Sequence, residues 1–326
     1  MPPLKSLGSR AWRSRRIHWR LVRVGSALVV GIAALLVLIM IFEEQFIYFP
    51  SKYPAGWWDV ADAVSAEGLG GPKIDDVELR TSDGVALHGW YCAPVRRDDE
   101  TLQPVPAPFV ILWFHGNAGN ITHRYEGISS LVTLPADVFI IDYRGYGKSE
   151  GTPSETGLYR DADAAWSYLT ETRGVSPGQI VLLGKSLGAA VAIDLATRVH
   201  PGALIVESGF TSAPDMARRI LPLVPTFALR TRMDSISKIG RVSCPVLFIH
   251  SRDDEVIPFG LGRRLYEAAG EPKRFHELRG LGHNDLYPQA GQGYLEAIGD
   301  FLQSLTTSGE GPGASSPTEQ APPGLP

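Results

Sequence analysis

Residues in the second half of the chain could together carry out nucleophilic catalysis. Ser186 lies in the sequence GKSLG, which directly follows an apolar run. Two aspartates, Asp253 and Asp254, follow a later apolar run, and His283 lies in the glycine-flanked segment GLGHNDL. A serine hydroxyl becomes an effective nucleophile when a histidine accepts its proton and a carboxylate orients that histidine. The order serine, aspartate, histidine therefore predicts a triad of Ser186, His283 and one of the two aspartates.

The GKSLG sequence has a second interpretation, because Gly-Lys-Ser also ends phosphate-binding loops. Such a loop needs a glycine five residues earlier and a flexible loop in between. Position 179 is Gln179, and the intervening residues IVLL favour a strand. The other Gly-Lys-Ser, at 147–149, has Asp142 at the glycine position. We therefore expect no nucleotide partner, a nucleophile turn at Ser186, and Lys185 as a surface or turn residue.

A nucleophilic serine of this kind also needs donors for the oxyanion that develops in the transition state. The sequence FHGNAGN follows a predicted strand, and its glycines allow a backbone that aims an N–H group inward. We predict the backbone N–H groups of Asn117 and of Leu187, the residue after Ser186, as the two donors. His115 in the same sequence is expected to be a structural hydrogen-bonding residue.

The elements that must position these residues alternate along the chain. Continuous apolar runs such as FVILWF are typical of a sheet covered on both faces. Asp83-Gly84 separates the first two strands as a hairpin would, and helices separate the later ones. This pattern predicts an α/β fold with a mostly parallel, doubly wound, eight-stranded sheet. The predicted strands are 77–81, 85–91, 109–114, 138–142, 180–184, 203–207, 246–250 and 274–278, and the predicted helices are 154–172, 187–199, 259–269 and 293–305.

Residues 211–240 interrupt this alternation. The segment is long for a connection, contains Pro222 and Pro225, and is rich in apolar residues. Long connections in compact domains are usually functional. We predict a small helical cap over the site, whose apolar residues could form an acyl pocket. A plain helical insertion on the surface is the alternative.

The N-terminal region predicts a membrane anchor. Residues 1–23 contain seven Lys or Arg and no acidic residue, and the 19 residues 24–42 carry no charge. As a helix, the uncharged segment would span roughly 28 Å, close to the hydrocarbon thickness of about 30 Å. No small-residue cleavage site follows, which argues against a cleaved signal peptide. The positive-inside rule places the basic arm in the cytoplasm and the chain after Phe42 on the extracytoplasmic side.

The rest of the chain is acidic. Beyond the arm, 24 basic and 35 acidic residues leave a net charge of −11, which argues against a nucleic-acid partner. Cys92 and Cys244 lie in or beside apolar runs and are predicted to be buried thiols, with a single disulfide as the alternative if the body is extracytoplasmic. Residues 307–326 contain no aromatic residue and one leucine, which predicts a disordered tail. Residues 43–306 would then form one catalytic domain, for which we expect no metal or cofactor.

From Phe46 to Leu305 the chain resembles the membrane-anchored ABHD-type α/β-hydrolases. The resemblance rests on FIYFPS, FHGNAGN, DYRGYGKSEG, GKSLGAA, DDEVIP and GHND. It implies the α/β-hydrolase fold with a short helical cap, and Asp254 as the triad acid with Asp253 as the fallback. It also implies that Asp142 and Arg144 organise a loop at the site. The implied activity is hydrolysis of an ester or thioester, with lipids, acylated proteins and small esters all open as substrates.

Three functions are compatible with these features. A membrane-tethered serine hydrolase that works through an acyl-enzyme is favoured, because the ordered triad is complete. A catalytically silent binding module on the same fold is the first alternative, although degeneration normally removes a triad residue. A serine peptidase is the second, although the sequence contains no separate substrate-gating domain.

Overall fold

An eight-stranded sheet forms the centre of the protein. The computed structural model describes residues 8–59, 72–98, 101–104, 107–220, 222, 225–285 and 291–307. The sheet order is β1-β2-β4-β3-β5-β6-β7-β8, and β2 runs antiparallel to both of its neighbours while the other pairs are parallel. The predicted mostly parallel, eight-stranded sheet is thereby confirmed. Its strands are β1 (Lys73–Arg80), β2 (Ala86–Ala93), β3 (Phe109–Phe114), β4 (Ala136–Ile141), β5 (Ile180–Lys185), β6 (Ala203–Glu207), β7 (Val246–Ser251) and β8 (Lys273–Leu278).

Helices cover both faces of the sheet, as its continuous apolar strands require. The helices are α1 (Gly8–Ile47), α2 (Tyr125–Leu131), α3 (Glu155–Ser167), α4 (Leu187–Ala196), α5 (Ala213–Ile220), α6 (Ser235–Ile239), α7 (Phe259–Ala268) and α8 (Gly291–Thr307). Strand β3 sends Leu112 into one core with α3, α4, α6 and α7, and Trp113 into the other core with α2 and α8. The two cores hold the sheet rigid beneath the loops that follow its strands.

Several element boundaries differ from the sequence-based expectation. Strand β1 begins at Lys73 instead of residue 77, because Asp76 is held by hydrogen bonds from Trp90 and His88 across the hairpin. The helix predicted over 154–172 is α-helical only to Ser167 and continues as a π-helical turn. Helix α2 was not predicted. Its sequence YEGISSL contains a glycine and two serines, which have low helix propensity.

Short strands outside the main sheet were also not predicted. Phe49–Pro50 pairs in parallel with Ala118–Gly119, and Val95–Asp98 pairs antiparallel with Thr101–Pro104. The first of these pairs joins the segment after α1 to the loop after β3. The N-terminal helix is therefore connected directly to the edge of the sheet where that loop lies.

The N-terminal helix contains the predicted membrane anchor. Within α1, residues 19–47 form a stretch that is long and apolar enough to cross a membrane. The most apolar part of this stretch is not buried against the rest of the protein. The predicted span 24–42 lies inside this stretch. Residues 1–7 of the predicted arm and residues 308–326 of the predicted tail lie outside the described residues.

The segment 211–240 forms short helices. Its described part contains α5, a 3₁₀ turn at Thr226–Ala228 and α6. Both cysteines, Cys92 and Cys244, are buried free thiols, as the sequence predicted.

Candidate active site

The predicted site residues lie beyond the carboxyl ends of neighbouring strands. Ser186 follows β5, Asn117 belongs to the loop after β3, Asp254 follows β7 and His283 follows β8. Strands β3 and β5 are adjacent, with β4 on the far side of β3. The strand order reverses at this point, which is where doubly wound sheets bind ligands.

Ser186 occupies a strained turn between β5 and α4. Its dihedral angles are φ 54° and ψ −116°, a backbone region that a serine adopts only when its surroundings force it there. Its N–H donates to the carbonyl oxygen of Glu207 at 2.9 Å. A Cβ on Gly188 would overlap the carbonyl oxygen of Phe114, so glycine at this position lets the start of α4 pack against the end of β3. These contacts hold Ser186 at the N-terminus of α4.

Asp254 and His283 form a buried hydrogen-bonded pair. The Asp254 Oδ2 atom lies 2.8 Å from His283 Nδ1, and Asp254 Oδ1 accepts the N–H groups of Ile257 at 2.7 Å and Val256 at 3.0 Å. Burial alone would raise the pKa of Asp254, but the hydrogen bonds from His283 and Ile257 outweigh burial and lower that pKa. An ionised carboxylate only accepts hydrogen bonds, so in the neutral ring of His283 it is Nδ1 that carries the proton and Nε2 that keeps its lone pair.

Asp253 has different surroundings. Its side chain is exposed, and its Oδ2 atom accepts the N–H of Gly280 at 2.6 Å. This bond links the loop after β7 to the loop after β8. The structure therefore places Asp254 against the His283 ring and Asp253 against the backbone that leads to it.

The loop after β3 packs against Ser186. A Cβ built on Gly116 would lie 3.8 Å from the Cβ of Ser186. The next residue, Asn117, donates from Nδ2 to the carbonyl oxygen of Ile47 at 3.0 Å, and its own carbonyl oxygen accepts the N–H of Phe49 at 3.0 Å. Asn117 is thus held in place by Ile47 and Phe49, at and just after the end of α1.

Leu187 is the first residue of α4. Backbone N–H groups in the first turn of a helix have no partner within the helix, and they create a partial positive charge there. The N–H of Leu187 is therefore free of the helical hydrogen-bond ladder at the residue next to Ser186. This position suits a developing negative charge on a bound substrate.

His115 lies in the core beneath this loop. Its Nδ1–H donates to the carbonyl oxygen of Gly116 at 2.7 Å, and its ring packs on Tyr143 with a centroid separation of 4.4 Å. Burial lowers the pKa of His115 to about 3. The ring is therefore neutral at physiological pH, in agreement with the structural role expected for it.

The expectation that Lys185 is a surface or turn residue was wrong. Lys185 ends β5 and is buried, and its Nζ atom lies 3.1 Å from Glu207 Oε1. Tyr294 of α8 donates to the other carboxylate oxygen of Glu207 at 2.8 Å. The carbonyl of the same glutamate binds the N–H of Ser186, so a buried ionic cluster supports the turn at Ser186. Sequence alone did not indicate it, because the partner residues are distant along the chain.

Two further glutamates position the site and were not predicted. Glu255 accepts the N–H of His283 at 2.9 Å and so holds the histidine loop. Glu43, near the end of α1, is only 2% exposed, and its carboxylate accepts the N–H groups of Arg230 at 2.8 Å and Thr231 at 2.5 Å. Glu255 follows Asp254, the predicted triad acid, and this adjacency was the signal available in the sequence. Glu43 had no such signal.

The resemblance implied that Asp142 and Arg144 organise a loop at the site. Both side chains make buried contacts that suit this role. Asp142 is fully buried and accepts the N–H of Ile121 at 3.0 Å. Arg144 binds Asp161 at 2.8 Å and Asp83 at 3.0 Å. Among the described residues, no group of three or more His, Cys, Asp or Glu side chains is placed to hold a metal ion.

The apolar residues of the predicted cap divide into two groups. Leu229 and Met233 are buried against the domain. Ile220 and Phe227, by contrast, point to the outside and are 65% and 78% exposed. Residues 221, 223 and 224 lie outside the described residues. Ile220 and Phe227 therefore do not line an internal pocket, contrary to what the acyl-pocket hypothesis expected of them.

Comparisons with known proteins agree with this architecture. The alpha/beta hydrolase fold family matches residues 110–237. The uncharacterized protein Rv2307c of Mycobacterium tuberculosis is 38% identical over 288 residues, which cover 86% of this chain and 96% of that protein. The alpha/beta hydrolase domain-containing protein WAV2 of Arabidopsis thaliana is 33% identical over 306 residues, covering 86% and 92% of the two chains.

Among solved structures, the esterase Pf2001 of Pyrococcus furiosus has the same fold. It superposes with a TM-score of 0.62 at 18% identity, covering 79% of this chain and 98% of that one. Together with the relatives above, this confirms the predicted α/β-hydrolase fold and the resemblance on which it was based. The chain belongs to the ABHD-type α/β-hydrolase family.

Proposed function

We propose that the protein is a membrane-tethered serine hydrolase that cleaves a carboxylic ester or thioester. Ser186 is the nucleophile, His283 the base, and Asp254 the acid that orients His283. The observation that carries the proposal is the strained turn at Ser186, located on the sheet edge where the buried Asp254–His283 pair also lies. Strain of this kind is characteristic of functional positions.

In the first step, the Ser186 hydroxyl oxygen attacks the carbonyl carbon of the substrate. His283 Nε2 takes the hydroxyl proton, and the carbonyl oxygen becomes an oxyanion that accepts hydrogen bonds from the N–H groups of Asn117 and Leu187. His283 then gives its proton to the leaving alcohol or thiol, and an acyl-enzyme remains on Ser186. Each oxyanion donor of this type contributes about 3–4 kcal/mol to lowering the barrier.

In the second step, water replaces the alcohol. His283 Nε2 takes a proton from the water molecule, whose oxygen attacks the acyl carbon. The carbon–oxygen bond to Ser186 then breaks, and the same proton returns to the serine oxygen. Asp254 stabilises the imidazolium form in both steps without taking up the proton.

The tether in this proposal is residues 24–42 of α1. The seven basic residues before it place the N-terminus in the cytoplasm and the catalytic domain, residues 43–306, on the extracytoplasmic side. Residues 211–240 act as the cap of that domain. The apolar length of residues 19–47 supports the tether.

A fluorophosphonate probe tests the nucleophile, because it reacts covalently with activated serines. We expect the probe to label the wild-type protein and to leave Ser186→Ala unlabelled. Asp253→Asn, a change of an exposed carboxylate next to the triad acid, serves as the matched control and should keep its labelling. Undiminished labelling of Ser186→Ala would refute the assignment.

A further inference from the structure

The candidate site lies close to the end of the membrane helix. Ile47, the last residue of α1, accepts the Nδ2 hydrogen bond of Asn117 at 3.0 Å. The predicted span ends at Phe42, five residues earlier, which corresponds to about 8 Å along the helix axis. The polar headgroup region on each side of a bilayer is about 6 Å thick. The loop beside Ser186 is therefore at the depth of the outer headgroup surface.

The cap is fastened to the same end of the helix. The buried carboxylate of Glu43 binds the backbone of Arg230 and Thr231, and the 3₁₀ turn Thr226–Ala228 contacts α1. Because α1 continues from these contacts into the apolar span, its direction fixes where the bilayer lies. The cap is consequently held against the membrane.

Exposed apolar side chains of the cap lie on the 3₁₀ turn that contacts α1 and at the end of α5, which contacts that turn. We call Ile220 and Phe227, which are both largely exposed, the cap rim. Large apolar side chains exposed together mark contact surfaces in soluble domains. Arg219 is also exposed, directly beside Ile220, and a guanidinium next to apolar residues suits lipid phosphates. The apolar surface of α1 continues through the exposed side chains of Phe42 and Phe46.

We propose that the cap rim enters the same bilayer as α1, so that the Ser186 site opens at headgroup level. The substrate is then an ester or thioester whose acyl chain is drawn from the bilayer and not from water. This inference rests on the membrane tether and on the serine hydrolase proposed above. The occupant of the exposed apolar surface is the lipid bilayer itself.

Fluorescence quenching in vesicles tests the insertion. Full-length Phe227→Cys, Ile220→Cys and Gln179→Cys proteins would be labelled with bimane and reconstituted into phosphatidylcholine vesicles. Both native cysteines are buried, so labelled wild type gives the background. Gln179 is an exposed residue at the opposite edge of the sheet, just before β5, and it serves as the control position.

Phosphatidylcholine spin-labelled on its acyl chain would then be added. We expect quenching of bimane at both cap-rim positions and none at position 179, because nitroxide quenching requires close contact. Quenching at position 227 that is no stronger than at position 179 would overturn the inference.

A kinetic comparison separates this inference from the proposed function. Phe227→Asp should lower hydrolysis of a long-chain nitrophenyl ester dissolved in the vesicles about tenfold, since apolar burial worth about 1.4 kcal/mol is lost. Hydrolysis of water-soluble nitrophenyl acetate by the same variant should change less than about twofold. Phe227→Leu should hydrolyse the long-chain ester at the wild-type rate. Equal losses on both esters would contradict the inference while leaving the hydrolase intact. If the fluorophosphonate does not label Ser186 in the wild-type protein, the proposed function itself is refuted.

Discussion

Two adjacent aspartates have different surroundings, and we expect different roles for them because their carboxylates meet different partners. Asp254 is buried against His283, whereas Asp253 is exposed and binds the N–H of Gly280. The tautomer of His283 depends on a hydrogen-bond acceptor at Nδ1. An asparagine at position 254 could present its amide N–H to Nδ1 instead. The proton of the imidazole would then move to the nitrogen that must accept from Ser186.

Asp254→Asn is therefore expected to lower kcat on nitrophenyl acetate about 10³–10⁴-fold. Asp253→Asn, with the same chemical change one residue earlier, should lower kcat less than about tenfold, because it removes only a backbone contact. Steady-state kinetics on both purified variants give the comparison. Similar losses in the two variants would show that the acid has been assigned to the wrong residue.

His115 is expected to make stability depend on pH. Burial lowers its pKa to about 3, whereas an unfolded histidine titrates near 6.5. The unfolded state thus binds a proton first as the pH falls. The stabilisation from neutral His115 is complete above about pH 6.5 and is lost progressively as the pH decreases toward 3.

His115→Asn removes this titration and keeps a donor for the carbonyl of Gly116. Between pH 6 and pH 5, the free energy of unfolding of the variant should fall by about 1 kcal/mol less than that of the wild type. Urea unfolding of the detergent-solubilised proteins at both pH values measures the two slopes. Parallel slopes would mean that His115 titrates normally in the folded protein.

Residue types were easier to predict than residue surroundings. The positions of Ser186 and His283 follow from short motifs next to predicted strands. The choice of Asp254 over Asp253 depends on how the turn before Ile257 directs each carboxylate, so the residues alone left it open. The buried state of Lys185 depends on Glu207, from the next strand of the sheet, and on Tyr294, whose position is set only by the fold.

At the scale of elements, the end of α1 is a structural part of the domain. Glu43 is buried and binds two backbone N–H groups of the cap, while the neighbouring Glu44 is partly exposed and lies 3.8 Å from the Arg230 guanidinium. Hydrogen bonds to a buried charged group are worth about 1.5–3 kcal/mol each, whereas exposed ion pairs contribute little.

Glu43→Gln should consequently loosen the cap. We expect amide hydrogen exchange at Arg230 and Thr231 to become at least about tenfold faster, because a neutral amide replaces the carboxylate that accepts both N–H groups. Glu44→Gln is the matched control and should exchange as the wild type does. Mass spectrometry of a peptide that covers both amides measures the rates, and equal rates in the two variants would argue against a fastening role for Glu43.

The central strands β3 to β7 were predictable because each contains a continuous apolar run that both cores require. The attachment of α1 was not, because it depends on a two-residue strand, Phe49–Pro50, and on single hydrogen bonds to Asn117. Elements this short have no periodicity to detect. The parts of the site that come from the N-terminal side were therefore visible only in the folded chain.

At the scale of the whole molecule, charge and apolar surface are arranged along one axis. The seven basic residues of 1–23 lie before the uncharged segment 24–42 of α1, and the acidic body lies after it. Basic residues within about 15–20 positions of a span set its orientation. In the proposed topology the site faces the membrane from the side opposite the arm, and an acyl product that leaves Ser186 would be released beside the outer headgroups.

This orientation predicts where a surface cysteine can be labelled. Gln179→Cys, with both native cysteines buried, should react with a membrane-impermeant maleimide in sealed right-side-out vesicles of the expression host. Replacing the seven basic residues of 1–23 by glutamine should reduce that labelling before permeabilisation and leave it unchanged afterwards, because the orienting charge is lost. Labelling of Gln179→Cys only after detergent is added would place the domain on the cytoplasmic side. In that case the headgroup-level site would act on the inner leaflet, since its distance from the end of α1 does not depend on orientation.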